Sequence, residues 1–94
     1  MKELTSFQRD VLYALSSEEQ MNGSDIRREL EEYYGLNVNN GQLYPNLDKL
    51  AENGLIEKIE TDSRSNYYMR TEKAEELIWN RRGWEDEQLE NFDF

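Results

Sequence analysis

Cysteine and histidine are both missing from the 94 residues. Without cysteine there is no disulfide and no thiolate ligand; without histidine the commonest general base and metal ligand is gone, so a zinc site is not expected. No apolar run approaches the ~20 residues that cross a bilayer, and Met1-Lys2-Glu3-Leu4-Thr5 lacks the apolar stretch of a signal peptide. A soluble, cytoplasmic chain without a membrane partner is the expectation. No phosphate loop or nucleophile motif is present either, and the scattered carboxylates have the look of surface charge, so neither an enzyme nor a cofactor is expected.

Basic side chains are few as well, 11 lysines and arginines against 21 acidic residues, for a net charge of −10. That balance opposes binding to a polyanion, whose partners ordinarily present a basic face. The excess is uneven. Residues 71–94 hold three basic against eight acidic side chains, whereas residues 54–70 hold three of each. Arginine outnumbers lysine seven to four. An acidic, lysine-poor surface suits a cytoplasm at very high salt, where charge keeps proteins hydrated and long-range repulsion is screened within a few Å. An ordinary acidic protein is the alternative.

Ninety-four residues make one domain with a small core, which dimerisation would help to complete. Thr5 or Ser6 can cap a first helix with Phe7, Val11, Leu12 and Leu15 at helical spacing. Asn22-Gly23-Ser24 opens a second, with Ile26, Leu30, Tyr33 and Tyr34 on its apolar side and Gly35 as a left-handed cap. Asn39-Asn40-Gly41 starts a third carrying Leu43, Leu47 and Leu50 and closed by Asn53-Gly54; Pro45 is placed at the edge of its first turn. The two helices joined by a few residues outline a helix-turn-helix. Leu55–Ile59 and Asn66–Arg70 have strand character and form a hairpin across residues 60–65, a wing. Thr71 caps a last helix with Ala74, Leu77, Ile78, Arg81 and Trp84 or Glu85 along one stripe. The fold class is therefore mainly α with a small β-hairpin wing. Residues 1–70 form a winged helix-turn-helix, and residues 71–94 a C-terminal dimerisation helix with a frayed tail.

The stretch Gly41-Gln42-Leu43-Tyr44-Pro45-Asn46-Leu47-Asp48-Lys49-Leu50, with its exit Gly54-Leu55-Ile56, resembles the signature of the PadR-type winged-helix regulators. Arg64-Ser65-Asn66-Tyr67-Tyr68 and Thr71 are similar to that family's third strand and helix cap, and the resemblance runs from about residue 4 to 80. Ala74 stands where a glycine is usual, Arg70 where an apolar residue is usual, and Ser24 where an aromatic is frequent. The acidity points to a haloarchaeal or archaeal-virus member.

The resemblance implies a sequence-specific transcriptional regulator, a repressor, on a pseudo-palindromic operator in double-stranded DNA as a homodimer. In a winged helix the third helix enters the major groove. With Leu43, Leu47 and Leu50 turned inward, Asn39, Asn40, Gln42, Asn46 and Lys49 are left outward, and amides can pair bidentately with adenine. Asn39 and Asn40 serve equally well as caps. Tyr44 has a hydroxyl for phosphate and a ring for packing. Arg27 and Arg28 reach either phosphate or Glu31 and Glu32. Arg64 at the wing tip is assigned the minor groove, with Ser65 and Asn66 on phosphate. Leu77, Ile78 and Trp84 are the candidate dimer contacts. A small-molecule effector at the dimer interface stays open as a family property. The rival reading is an acidic winged-helix interaction module or DNA mimic that does not bind DNA; it would need acid on the third helix and wing, where amides and Arg64 stand instead.

Overall fold

Each helix begins on a side chain that replaces a missing backbone partner. In the computed structural model, which describes residues 1–61 and 65–92, the helices are α1 (Ser6–Leu15), α2 (Gly23–Tyr34), α3 (Asn40–Glu52) and α4 (Glu72–Gln88). Thr5 caps α1 in a reciprocal box with Gln8, Asn22 accepts from the Asp25 amide, Asn39 from that of Gln42, and Thr71 from that of Ala74. The exits of α2 and α3 turn through Gly35 and Gly54 at φ of 71° and 74°, a left-handed geometry that a side chain would strain.

Pro45 is the sixth residue of α3, deeper than its sequence placement at the edge of the first turn. It cannot donate to the Gly41 carbonyl, so that oxygen is released from the helical ladder close to the start of α3.

Three short strands, β1 (Met21–Asn22), β2 (Ile56–Glu60) and β3 (Asn66–Arg70), form an antiparallel sheet in the order β1-β3-β2. The hairpin was expected; β1 was not, because two residues are too short to show a period. It pairs Met21 with Tyr68 and Asn22 with Tyr67, and so pins the start of α2 to the wing. Of the neighbouring tyrosines, Tyr68 is buried and Tyr67 half-buried. Tyr68 faces Lys58 on its other side.

One core joins Val11, Leu12, Leu15, Ile26, Leu30, Leu43, Leu47, Leu50, Leu55, Ile56, Tyr68 and Ala74, with Phe7, Tyr34, Leu77 and Ile78 packed against it. Ala74 is fully buried and replaces the glycine usual at this position without opening to solvent. Arg70 is accommodated by pairing with Glu75 at 3.3 Å. Tyr33 departs from expectation: it is 80% exposed, because only Tyr34 of the two reaches the core side of α2. Tyr34 donates to Asp10 at 2.5 Å, and burial together with that bond holds its hydroxyl well above the ordinary tyrosine pKa.

Leu47→Ala removes a fully shielded side chain from the centre of this cluster. It should lower unfolding free energy by about 2–5 kcal/mol, measured by denaturant titration. An unchanged midpoint would contradict the phase of α3.

Candidate nucleic-acid interface

The three leucines turn one side of α3 inward and leave Asn40, Gly41, Gln42, Tyr44, Pro45, Asp48 and Lys49 exposed. The first turn carries no acidic residue, and Lys49 sits in the last. Unpaired amides at a helix start also give this end a partial positive charge. The start of α3 therefore carries none of the acidic excess of the chain.

The expected site residues fall into distinct environments. Asn39 is committed to the cap, its Oδ1 accepting from the Gln42 amide at 2.7 Å. Asn40 Oδ1 accepts from Arg27 Nη1 at 2.9 Å, which ties α2 to the start of α3. Arg28 turns away and pairs with Asp25 at 3.2 Å, not with either glutamate named from the sequence. Glu31 instead accepts from the Val38 amide at 2.9 Å and holds the turn between α2 and α3. Gln42 is exposed.

Asn46 differs most from its expected outward place. It is half-buried, accepts from Gln8 Nε2 at 3.0 Å, and donates to the Gln42 carbonyl at 2.7 Å. Gln8, only 8% exposed, was not singled out in the sequence. Its signal was present in the Thr5-x-x-Gln8 spacing, which is that of a capping box.

Tyr44, Ser65 and Asn66 do come together. With Asn22, Gly23 and Ser24 they line one cleft between the start of α2, α3 and the base of the wing, and none of the six is charged. Gly23 makes this packing fit, since a Cβ there would lie 2.8 Å from two ring carbons of Tyr44. Ser65 carries a turn bond, its carbonyl accepting from Thr61 Oγ1 at 2.8 Å. Arg64 lies outside the described residues.

The expected dimer contacts also divide. Leu77 and Ile78 pack on the core of their own chain. Trp79 and Trp84 are 69% and 51% exposed, and Arg81 lies 4.7 Å over the Trp84 ring while pairing with Glu85. Tyr13, under α4, has a buried hydroxyl with no hydrogen-bond partner among the described residues. Its pKa is raised by burial and then by the charge of Glu85. No metal-binding cluster is found among the described residues, and no helix is long and apolar enough to cross a membrane.

Residues 11–78 match the model of the transcriptional regulator PadR-like family. The structure is similar to that of RosR from H. salinarum, with a TM-score of 0.89 and 43% identity over 94% of this chain and 79% of RosR. F93 from STIV, a winged-helix DNA-binding protein, shares the fold at a TM-score of 0.74 and 16% identity, over 89% of this chain and 92% of its own. The PcaV transcriptional regulator from Streptomyces coelicolor also shares it, at 0.65 and 22% identity, over 98% and 68%. No curated protein sequence matches the chain.

Gly23→Ala should destabilise the protein by about 1–3 kcal/mol through overpacking against Tyr44. The cost should shrink when Tyr44→Ala is added. A double-mutant cycle of unfolding free energies checks this, and independent, additive effects would show that the ring does not rest on Gly23.

Proposed function

The chain belongs to the transcriptional regulator PadR-like family, and from that premise we propose that it is a sequence-specific repressor that binds double-stranded DNA in the cytoplasm. The observation that carries this reading is the uncharged cleft of Asn22, Gly23, Ser24, Tyr44, Ser65 and Asn66 beside the acid-free start of α3. Hydroxyls and amides there can meet phosphate oxygens with no carboxylate in the lining itself, while Gln42 is free to reach a base edge. Asn40 and Arg27 support the start of α3 as a bonded pair, Lys49 adds a cation farther along, and Ser65 and Asn66 join the wing to the backbone contacts. Arg64 keeps its groove assignment on sequence grounds alone. The same placement weighs against a DNA mimic, which would present acid on this surface.

The acidic, lysine-poor composition supports a haloarchaeal setting, as does the likeness to RosR of H. salinarum. At molar salt the Debye length is about 3 Å, so distant carboxylates repel DNA weakly while direct hydrogen bonds persist.

A two-fold homodimer on a pseudo-palindromic operator is the assembly we propose. Trp84 lies seven residues after Leu77 and continues its stripe beyond the part of α4 that covers the core. Large exposed rings on such a projecting helix favour burial against a second copy. Tyr13 lines clefts on both sides, towards α2 and towards α4, and its unpartnered hydroxyl supports a polar effector group there.

Footprinting on the chain's own promoter region at low and at molar salt tests the reading. Protection of a discrete site at molar salt is expected; capture of a protein partner with no DNA protection at any salt would replace the regulator by the acidic interaction module. Gln42→Ala should cost about 1–3 kcal/mol on that site and far less on unrelated DNA, measured by anisotropy titration. For the assembly, Trp84→Glu should yield monomers in sedimentation. It is a cleaner probe than Leu77 or Ile78, whose replacement also disturbs the core. A dimer that survives it would place the interface elsewhere.

A further inference from the structure

A chain of side-chain amides runs from the cap of α1 to the backbone of α3, and its direction is determined at both ends. The Thr5 backbone N–H donates to Gln8 Oε1 at 3.1 Å. Gln8 Nε2 donates to Asn46 Oδ1 at 3.0 Å, and Asn46 Nδ2 donates to the Gln42 carbonyl at 2.7 Å. The first group can only donate and the last can only accept. Turning either amide over would set donor against donor at one joint and acceptor against acceptor at another. Gln8 is nearly buried, where such a mismatch costs most.

Asn46 is thereby left with one unengaged N–H, while Gln8 Nε2 takes one of the two lone pairs of its oxygen. Bidentate pairing with adenine would place a second donor on that same oxygen, whereas a single bond from the remaining N–H needs only an acceptor on the base.

We propose that Gln8, although it touches no DNA, is a specificity-determining positioning residue: it fixes the orientation of the Asn46 amide so that its remaining N–H selects bases presenting a major-groove acceptor. The inference rests on the regulator reading above. Purine N7, guanine O6 and thymine O4 meet the requirement. Cytosine, which presents N4–H₂, is rejected at this position.

Gln8→Glu tests the lock while nearly preserving shape. A carboxylate still accepts from Thr5 N–H and has nothing to donate to Asn46, so the chain breaks at its middle joint. Wild type, Gln8→Glu, Asn46→Ala and the double variant are each taken through selection on a randomised duplex library. Wild type should reject cytosine at one position of each half-site by about tenfold, roughly one hydrogen bond's worth of discrimination. Both single variants should lose that preference and keep the others, with the salt dependence of affinity unchanged, and the double variant should lose no more than Asn46→Ala. A Gln8→Glu profile identical to wild type, or an equal loss at every position, overturns the proposal. Wild type that enriches no sequence at all would instead remove the regulator reading beneath it. A measurement on free wild-type protein needs no variant to fold: the side-chain amide protons of Gln8 and Asn46 should exchange with solvent more slowly than those of Gln42 by NMR. Equal exchange at all three overturns the lock whatever the DNA result.

Discussion

Leu43, Leu47 and Leu50 are wholly shielded from solvent, and their seat among Val11, Leu12, Leu15 and Ile26 sets the rotation of α3 about its axis. A helix that buries residues at this spacing has one remaining face, and rotating it would expose leucine. The outward set of Asn40, Gln42, Tyr44 and Lys49 is thus a consequence of packing and not a separate design. The capping, the glycine exits and the sheet all serve to hold α3 in that rotation. Even the polar contact of Gln8 with Asn46 acts on the same helix, adding direction to what apolar burial alone leaves free.

The charge of the chain is a matter of position more than of total. The acidic excess is greatest in residues 71–94, and α4 bears most of it while packing against α1. On α2, Asp25 is paired with Arg28 and Glu31 is spent on the Val38 amide, so neither acts as an isolated carboxylate. Asp48 and Glu52 remain the exposed acids on α3, beyond its uncharged start. The cleft of Tyr44 and Ser65 is lined by neutral groups alone, and none of its lining residues comes from the acidic α4.

Apolar periodicity, cap chemistry and glycine exits made the helices, their order and the hairpin legible, because each depends on residues near one another in sequence. Gly35 and Gly54 stand in the left-handed geometry expected of them, and Tyr68 is the core member of its pair. What escaped the sequence depends on distant partners. Asn46 looks like a free amide until Gln8, 38 residues earlier, is brought beside it. Two residues of β1 carry no period and gain meaning only from β3. Tyr33 and Tyr34 are equivalent by spacing, and what separates them is the surface of α1, where Tyr34 meets Phe7 and Asp10. Pro45 was expected to distort the helix start locally instead of breaking it, and with α3 beginning at Asn40 that distortion is the released Gly41 carbonyl.

The start of α4 is bonded to the exit of α3, which bears on how a dimer would present its reading surfaces. Thr71 Oγ1 donates to the Gly54 carbonyl at 2.7 Å and accepts from the Ala74 amide at 3.3 Å, while the Thr71 N–H reaches the Leu55 carbonyl at 3.1 Å. Lys73 Nζ adds a bond to the Asn53 carbonyl at 3.0 Å. One hydroxyl thus caps α4 and fastens it to the end of α3, and Ala74 seats the next turn in the common core. A helix joined in this way cannot swing as a free appendage, since tilting it would break the cap and uncover Ala74 together. In the proposed assembly, the α4 pairing would then fix the separation of the two α3 helices through a rigid path. The distance between half-sites would follow from the angle at which Thr71 launches α4, with no linker to absorb an error.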